Sequence, residues 1–316
     1  MNDLTKLLRI KYPIIQGGMG NISHAELTSA VSNAGGLGTI GVGTMDPDTV
    51  ERILTSIHSQ TSKPFAVNLP IAVQPYIEDM IGLVKKYGIP AVTLSAGNPS
   101  PYIQQFKEDN IVVMCVVAND KQAKKVEDNG ADVIIAEGYE AAGINSSEEL
   151  TTFTLTPTVS SRVNVPVIAA GGVGNGQGIA AAMSLGAQGV QLGTRLIATK
   201  EAQVHADYKE GIRNAGADGT IIVGRPYQRI RRVLKTPYSE HLLQSEKENQ
   251  PADVYLEKTD EKHHLVGAIE GKLSEGHVNA GQIASLIEDI PSVEDLLKSM
   301  MTEARESFET NFSMFN

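Results

Sequence analysis

Two turns of small residues, Gly171-Gly172 and Gly193-Thr194, each close an apolar run, Val165–Ala170 and Gly189–Leu192. Glycine has no Cβ to hold a ligand away from the backbone, and a helix N-terminus behind such a turn favours an anion. An Ala-rich helical segment ending at Gly186 separates the two. Two such turns after consecutive parallel strands point to a phosphate grip, and so to a phosphorylated cofactor. Other apolar runs end in small or polar residues as well: Gln16-Gly17-Gly18-Met19, Gly41, Asn68, Ser95-Ala96-Gly97-Asn98, Val117 and Glu137-Gly138. Small and polar residues dominate this set, which is unusual for strand ends chosen only for packing. Other chemistry is weakly supported. The seven histidines include His205, read as a helix start, and His263-His264, read as solvated in a charged stretch. None has the HExxH or paired-ligand spacing of a transition-metal site, so no metal is expected. The single cysteine, Cys115, lies inside IVVMCVV, where a buried thiol is expected and a nucleophile is not.

These residues need a scaffold that brings strand ends together. A unit of helix, glycine and short apolar run recurs as SNAGGLGTIG, KKYGIPAVTLS, EDNGADVIIAEG and SLGAQGVQLG. Glycine just past a helix suits the left-handed C′ position, and all-apolar runs suit strands buried on both faces of a parallel sheet. Eight runs result: 13–16, 37–41, 65–69, 91–95, 111–117, 132–137, 165–170 and 188–192. Helical patterns fill the gaps, among them 24–33, 48–59, 75–86, 121–129 and 176–184. Eight β/α alternations predict an α/β fold, a (β/α)8 TIM barrel whose site lies where the strands end. A doubly wound sheet would want GxGxxG after the first strand, and Gly17-Gly18-Met19-Gly20 does not match it. The pattern fades after Arg195. Residues 205–216 and 292–310 read as helical, and 225–290 as irregular and charged. The expected organisation is a barrel over 1–220 with a C-terminal cap or extension over 221–316 packed on it.

Composition sets limits. The chain has 316 residues, 41% hydrophobic and 20% charged, with a formal charge of −10, which fits a globular protein with a large core. The acidic balance opposes a general nucleic-acid binder. No apolar run reaches the length of a membrane span, and MNDLTKLLRIKYP lacks the apolar core of a signal peptide, so a cytoplasmic protein without membrane contact is expected.

In order along the chain, QGGM, VNLP, SAGNPS, AEGYEAAG, VPVIAAGG and VQLGTR resemble the FMN-dependent nitronate monooxygenase (2-nitropropane dioxygenase) family. VNAGQIASLI at 278–287 is similar to the family's enoyl-acyl-carrier-protein reductase II branch. The resemblance covers nearly the whole chain and implies FMN. It assigns Gly171, Gly172, Gly193 and Thr194 to the phosphate, and Gly17, Gly18 and Met19 to the flavin ring. Asn68 falls near the ring's polar edge, Glu137 and Gly138 on the floor, and Ala96 and Gly97 beside them.

The family's loop after the sixth strand usually reads EAGGH, and its histidine is the proposed acid or base. Here Glu140-Ala141-Ala142-Gly143 is followed by Ile144 and Asn145, neither of which transfers a proton near neutral pH as imidazole does. Nitroalkane deprotonation depends on that histidine more than enoyl reduction does, and Asn145 is the candidate donor to a thioester carbonyl. The expected function is reduction of trans-2-enoyl thioesters with NADH or NADPH as reductant. Nitronate monooxygenase is the alternative, followed by a flavin-binding protein that has lost catalysis. Arg225, Arg229, Arg231, Arg232 and Lys235 crowd into eleven residues. They suit an acyl carrier protein or the phosphates of a nicotinamide or pantetheine group, or a solvated helix face paired with glutamates. A homodimer is also expected.

Overall fold

The computed structural model describes residues 2–314. Its strands are β1 (Ile14–Gln16), β2 (Gly38–Gly41), β3 (Phe65–Pro70), β4 (Ala91–Ser95), β5 (Val112–Val117) and β6 (Val133–Glu137). They continue with β7 (Gly143–Ile144), β8 (Val167–Ala170), β9 (Gly189–Leu192), β10 (Thr220–Val223) and β11 (Arg231–Leu234). Eight of these form one parallel sheet in the order β1-β9-β8-β6-β5-β4-β3-β2. The sheet closes on itself: Ile15 bridges Leu37 in parallel, with Gln16 N–H on the Leu37 carbonyl at 2.9 Å. This is the (β/α)8 barrel expected from the eight apolar runs.

Helices lie between successive strands, and local sequence sets their starts. Asp46, Asn119 and Asn175 each cap a helix by accepting the backbone N–H three residues on. Strand residues of one parity meet these helices outside, while the other parity fills the barrel. Ile15, Leu37, Ala66, Ala91, Met114, Val133, Ile135, Ile168 and Ala170 form the interior cluster, and Leu4, Leu8 and Ile10 from the N-terminal segment join it. Leu4 reaches so far in that a Cβ on Gly189 would lie 2.6 Å from its side chain. The N-terminal helix Asp3–Leu8 therefore plugs one end of the barrel, and the C-terminal strand ends form the other.

The region after Arg195 departs from the sequence expectation. Residues 225–290 are not irregular: β10, β11 and β7 make a three-stranded antiparallel sheet, flanked by helices Pro237–Lys247, Ala252–Lys258 and Glu261–Ala268. β7 belongs to the loop after β6, so barrel and cap share one sheet. The final helix, Val293–Met314, packs against the barrel helices Gly176–Ser184 and Ala25–Ala34. Leu296, Leu297, Met300 and Ala304 are buried in the cluster that holds Val190 and Leu192. The chain thus leaves the barrel after β9, builds the cap, and returns to cover the barrel wall. Arg195 fastens this return, its buried guanidinium donating to Asp289 Oδ1 at 2.7 Å. Among the described residues, no helix is long and apolar enough to cross a membrane.

Candidate active site

Strand register places the polar strand ends on one surface. Ala170 belongs to the interior cluster and pairs with Glu137 on one side and Gln191 on the other, so all three share the inner face. Asn68 lies two residues beyond interior Ala66 and pairs with Gly41. The mouth is therefore lined by Gly41, Asn68, Glu137, Ala170 and Gln191. The Gly17-Gly18-Met19 turn packs over it. A Cβ at Gly17 would sit 3.4 Å from Gln191, and one at Gly18 would lie 2.4 Å from the Asn68 amide, so the turn needs glycine to approach Asn68.

Across the mouth, Gly171 and Gly172 both have left-handed backbone, φ +89° and +72°. A Cβ on Gly171 would lie 2.9 Å from Ala141 N and 3.0 Å from the Gly138 carbonyl. Next to them, a Cβ on Gly193 would meet nothing within 4 Å, so that turn opens onto free space. The short helix Thr194–Ile197 begins there without a side-chain cap. Thr194 Oγ1 accepts the Gly281 N–H at 2.9 Å, which leaves its hydroxyl proton to donate. On the third side, Ala96 adopts φ +47°, a left-handed conformation that costs an alanine about 1–2 kcal/mol. It is held there by Ala72 N–H on its carbonyl at 2.8 Å, and exposed Gly97 follows.

Glu137 is the mouth's unpartnered titratable group. It makes no hydrogen bond among the described residues, and burial pushes its carboxyl up from 4.5 to about 7. A carboxyl so placed is proton-bearing near neutrality and suits a hydrogen-bonding ligand. Small turns, open space at Gly193, and Asn68 and Glu137 without competing charge fit a flat, phosphorylated cofactor such as FMN.

The loop after β6 is tied down from within. The Glu140 carboxylate accepts Thr152 N–H at 2.8 Å and Thr152 Oγ1–H at 3.0 Å, while the Glu140 carbonyl accepts Gln282 N–H at 2.9 Å. Asn145 uses both amide protons inside the loop, donating to Ala141 O at 2.9 Å and Gly143 O at 3.2 Å. As an oxyanion donor it would first have to release one of these. Ile144, which with Asn145 follows Glu140-Ala141-Ala142-Gly143 where the family's loop has its histidine, is a large apolar side chain 51% exposed.

The five clustered cations divide, and they lie on a turn and a strand rather than a helix face. Arg225 pairs with Glu149 at 2.9 Å and Lys235 with Asp218 at 2.9 Å. Arg232 is buried, its guanidinium 5.0 Å from the Tyr139 ring centre and donating to the Tyr139 carbonyl at 3.1 Å. Arg229 is exposed, and half-buried Arg231 pairs in register with Ile144.

His264 is not solvated as its charged surroundings suggested. It is 2% exposed and stacks on buried His277 at 5.3 Å, because the helix Glu261–Ala268 turns it inward beneath the cap. Burial holds the His277 imidazole well below its usual range. His205 does cap its helix, its Nδ1 accepting Asp207 N–H at 3.2 Å. Cys115 is fully buried, and desolvation pushes its thiol up to about 12, so it is not a nucleophile. Among the described residues no cluster suits a metal ion. Glu140, Asn279 and Arg231 were not singled out as site residues. Asn279 lay within VNAGQIASLI, and Arg231 within the cation cluster.

A sequence model of the nitronate monooxygenase family matches residues 1–80 and 71–303. The solved structure of FabK from Thermotoga maritima superposes with a TM-score of 0.95 at 40% identity, covering 99% of both chains. A probable nitronate monooxygenase of Staphylococcus saprophyticus is 31% identical over 96% of this chain and 97% of that one. A Mycobacterium tuberculosis protein is 30% identical over 97% of both chains, and is named a (3aS,4S,5R,7aS)-5-hydroxy-7a-methyl-1-oxo-octahydro-1H-indene-4-carboxyl-CoA dehydrogenase. With its barrel, its ordered motifs and these matches over nearly its full length, the chain belongs to the nitronate monooxygenase family and is an oxidoreductase.

Proposed function

We propose that the protein is an FMN-dependent reductase of 2-enoyl thioesters that takes its electrons from NADH or NADPH. The observation that carries this reading is the loop after β6, where Ile144 and a tied-down Asn145 leave no imidazole to remove a substrate proton. Likeness to FabK, the enoyl-acyl-carrier-protein reductase II type, and to a relative named for a carboxyl-CoA substrate supports the thioester class.

When bound, FMN supplies two-electron transfer between the nicotinamide and the substrate alkene. The chain's own residues bind and orient. Gly171, Gly172, Gly193 and Thr194 hold the phosphate, with Thr194 donating its hydroxyl proton. Gly17, Gly18 and Met19 flank the ring. Asn68 offers both a donor and an acceptor to its polar edge, and Gly138, Ala96 and Gly97 leave the rim open. Glu137 holds a proton at its carboxyl near neutral pH. Net reduction adds two electrons and two protons across the C=C bond, one hydrogen arriving as hydride at the β-carbon and the α-carbon protonated from a site group or water.

The second reading, nitronate monooxygenase, is favoured by the family match and the Staphylococcus relative. Anaerobic NADH or NADPH should bleach the flavin absorbance, and crotonyl thioester should restore it. Oxygen uptake with a nitronate and no response to the thioester would select the second reading. A bound flavin that answers neither would mark a protein that has lost catalysis.

A further inference from the structure

We infer that Arg231, steadied by Asn279, is the anion-binding residue of the substrate space and receives the planar oxygen on which the substrate carries or develops negative charge. The inference rests on the oxidoreductase reading above and adds a residue and a ligand chemistry to it.

Position comes first. β11 and β7 are antiparallel, with Arg231 opposite Ile144. Directly opposed side chains leave an antiparallel pair on the same face. Arg231 is therefore a cross-strand neighbour of Ile144, in the loop where the family carries its histidine.

Its partners come next. A guanidinium has five N–H donors. Among the described residues, the only hydrogen bond of Arg231's guanidinium runs from Nη1 to Asn279 Oδ1 at a long 3.4 Å. Among the described residues no carboxylate lies within ion-pairing distance of it, although Arg225 and Lys235 on the same segment each have one at 2.9 Å. Desolvation lowers its affinity for its proton, against weaker support from Tyr255 and Glu261. Holding a half-buried cation without a counter-anion is unfavourable, and ligand sites are where that arrangement has a use.

A relay fixes Asn279. Its backbone carbonyl accepts the Tyr208 hydroxyl, and its side-chain Nδ2 lies 3.3 Å from His264 Nε2. His264 Nδ1 is 3.3 Å from Glu261, whose Oε1 accepts Asn21 N–H at 3.2 Å. Asn21 follows the Gly17-Gly18-Met19 turn. The relay thus runs from the loop after β1 to β11, and it ends in a guanidinium with free donors. A guanidinium suits planar oxyanions such as a carboxylate, a nitronate or the enolate of a thioester.

The test is calorimetric titration of the FMN-loaded protein with crotonate and with its neutral isostere crotonamide. Crotonate should bind at least tenfold more tightly than crotonamide. Arg231→Met should weaken crotonate at least tenfold and leave crotonamide unchanged, and Arg231→Lys should fall between, which covers misfolding of the Met variant. Adenosine 3′,5′-bisphosphate is a third ligand. If Arg231→Met weakens only that phosphate ligand, the residue serves a carrier's phosphates and the inference fails. Equal binding of crotonate and crotonamide, or crotonate binding unaffected in both variants, also overturns it. Flavin content distinguishes the underlying reading. A protein that takes up no FMN yet prefers crotonate refutes the flavin reading and keeps the anion site, and the reverse result does the opposite.

Discussion

At the rim of the barrel, each residue facing the mouth sits at the end of its own strand: Asn68 on β3, Glu137 on β6, Gly171 after β8, Gly193 after β9. In the cap, the neighbouring residues come from 143–144, 231, 264 and 279, and they meet only because two strand residues of a barrel loop join a sheet built some 80 residues later. The rim is positioned by eight repeated units that each fix one strand end. The cap is positioned by single contacts such as Arg231 on Asn279 and Asn21 on Glu261. On the proposed function, cofactor binding therefore depends on the redundant part of the fold. On the same proposal, substrate choice depends on the part where Ile144 and Asn145 follow Glu140-Ala141-Ala142-Gly143 and the family's loop has its histidine.

Breaking the rim should have the largest effect. Gly171→Ala places a Cβ 2.9 Å from Ala141 N at φ +89°. It should cost about 2 kcal/mol or more of stability and at least tenfold in FMN affinity, read by thermal melting and flavin fluorescence. A variant that keeps flavin and melting temperature would show that the turn is not the grip.

Glu137 tests the rim through pH. Its carboxyl is raised to about 7, so the folded protein keeps a proton that the unfolded chain releases near 4.5. Stability from this group is lost as pH rises from about 4.5 through about 7, by roughly 3 kcal/mol in total without ligand. Glu137→Gln should therefore gain stability relative to the parent as pH rises through that window. A constant difference between pH 4.5 and 7.5 would contradict the placement.

The barrel was legible because its signals repeat. Eight apolar runs, half of them preceded by glycine, fit a barrel better than a doubly wound sheet, and Cys115 inside IVVMCVV had only a buried place to go. The cap was not legible. TIIV and RRVL are short strands whose third partner, Gly143–Ile144, lies far away in sequence and carries no strand pattern of its own. His264 read as solvated because its neighbours are charged, and only helix packing reveals that it turns inward. The final helix read as helical and as part of an extension packed on the barrel, and it packs on the barrel helices.

Two smaller changes sharpen the cap side of the comparison. Ile144→His fills a position that is 51% exposed, so stability should move by no more than about 0.5 kcal/mol. Oxygen uptake with a nitroalkane should rise, measured with an oxygen electrode, and no rise would mean that more than this residue separates the two chemistries. Arg229→Glu tests the exposed cation. KM should rise severalfold for a substrate on acyl carrier protein and stay unchanged for the coenzyme A thioester. An unchanged KM for both removes the carrier from this surface.

The most direct measurement is anaerobic spectroscopy of the purified, FMN-loaded protein. The account predicts that NADH or NADPH bleaches the absorbance near 450 nm and that crotonyl thioester restores it. A flavin that reductant bleaches and only oxygen or a nitronate restores would contradict it.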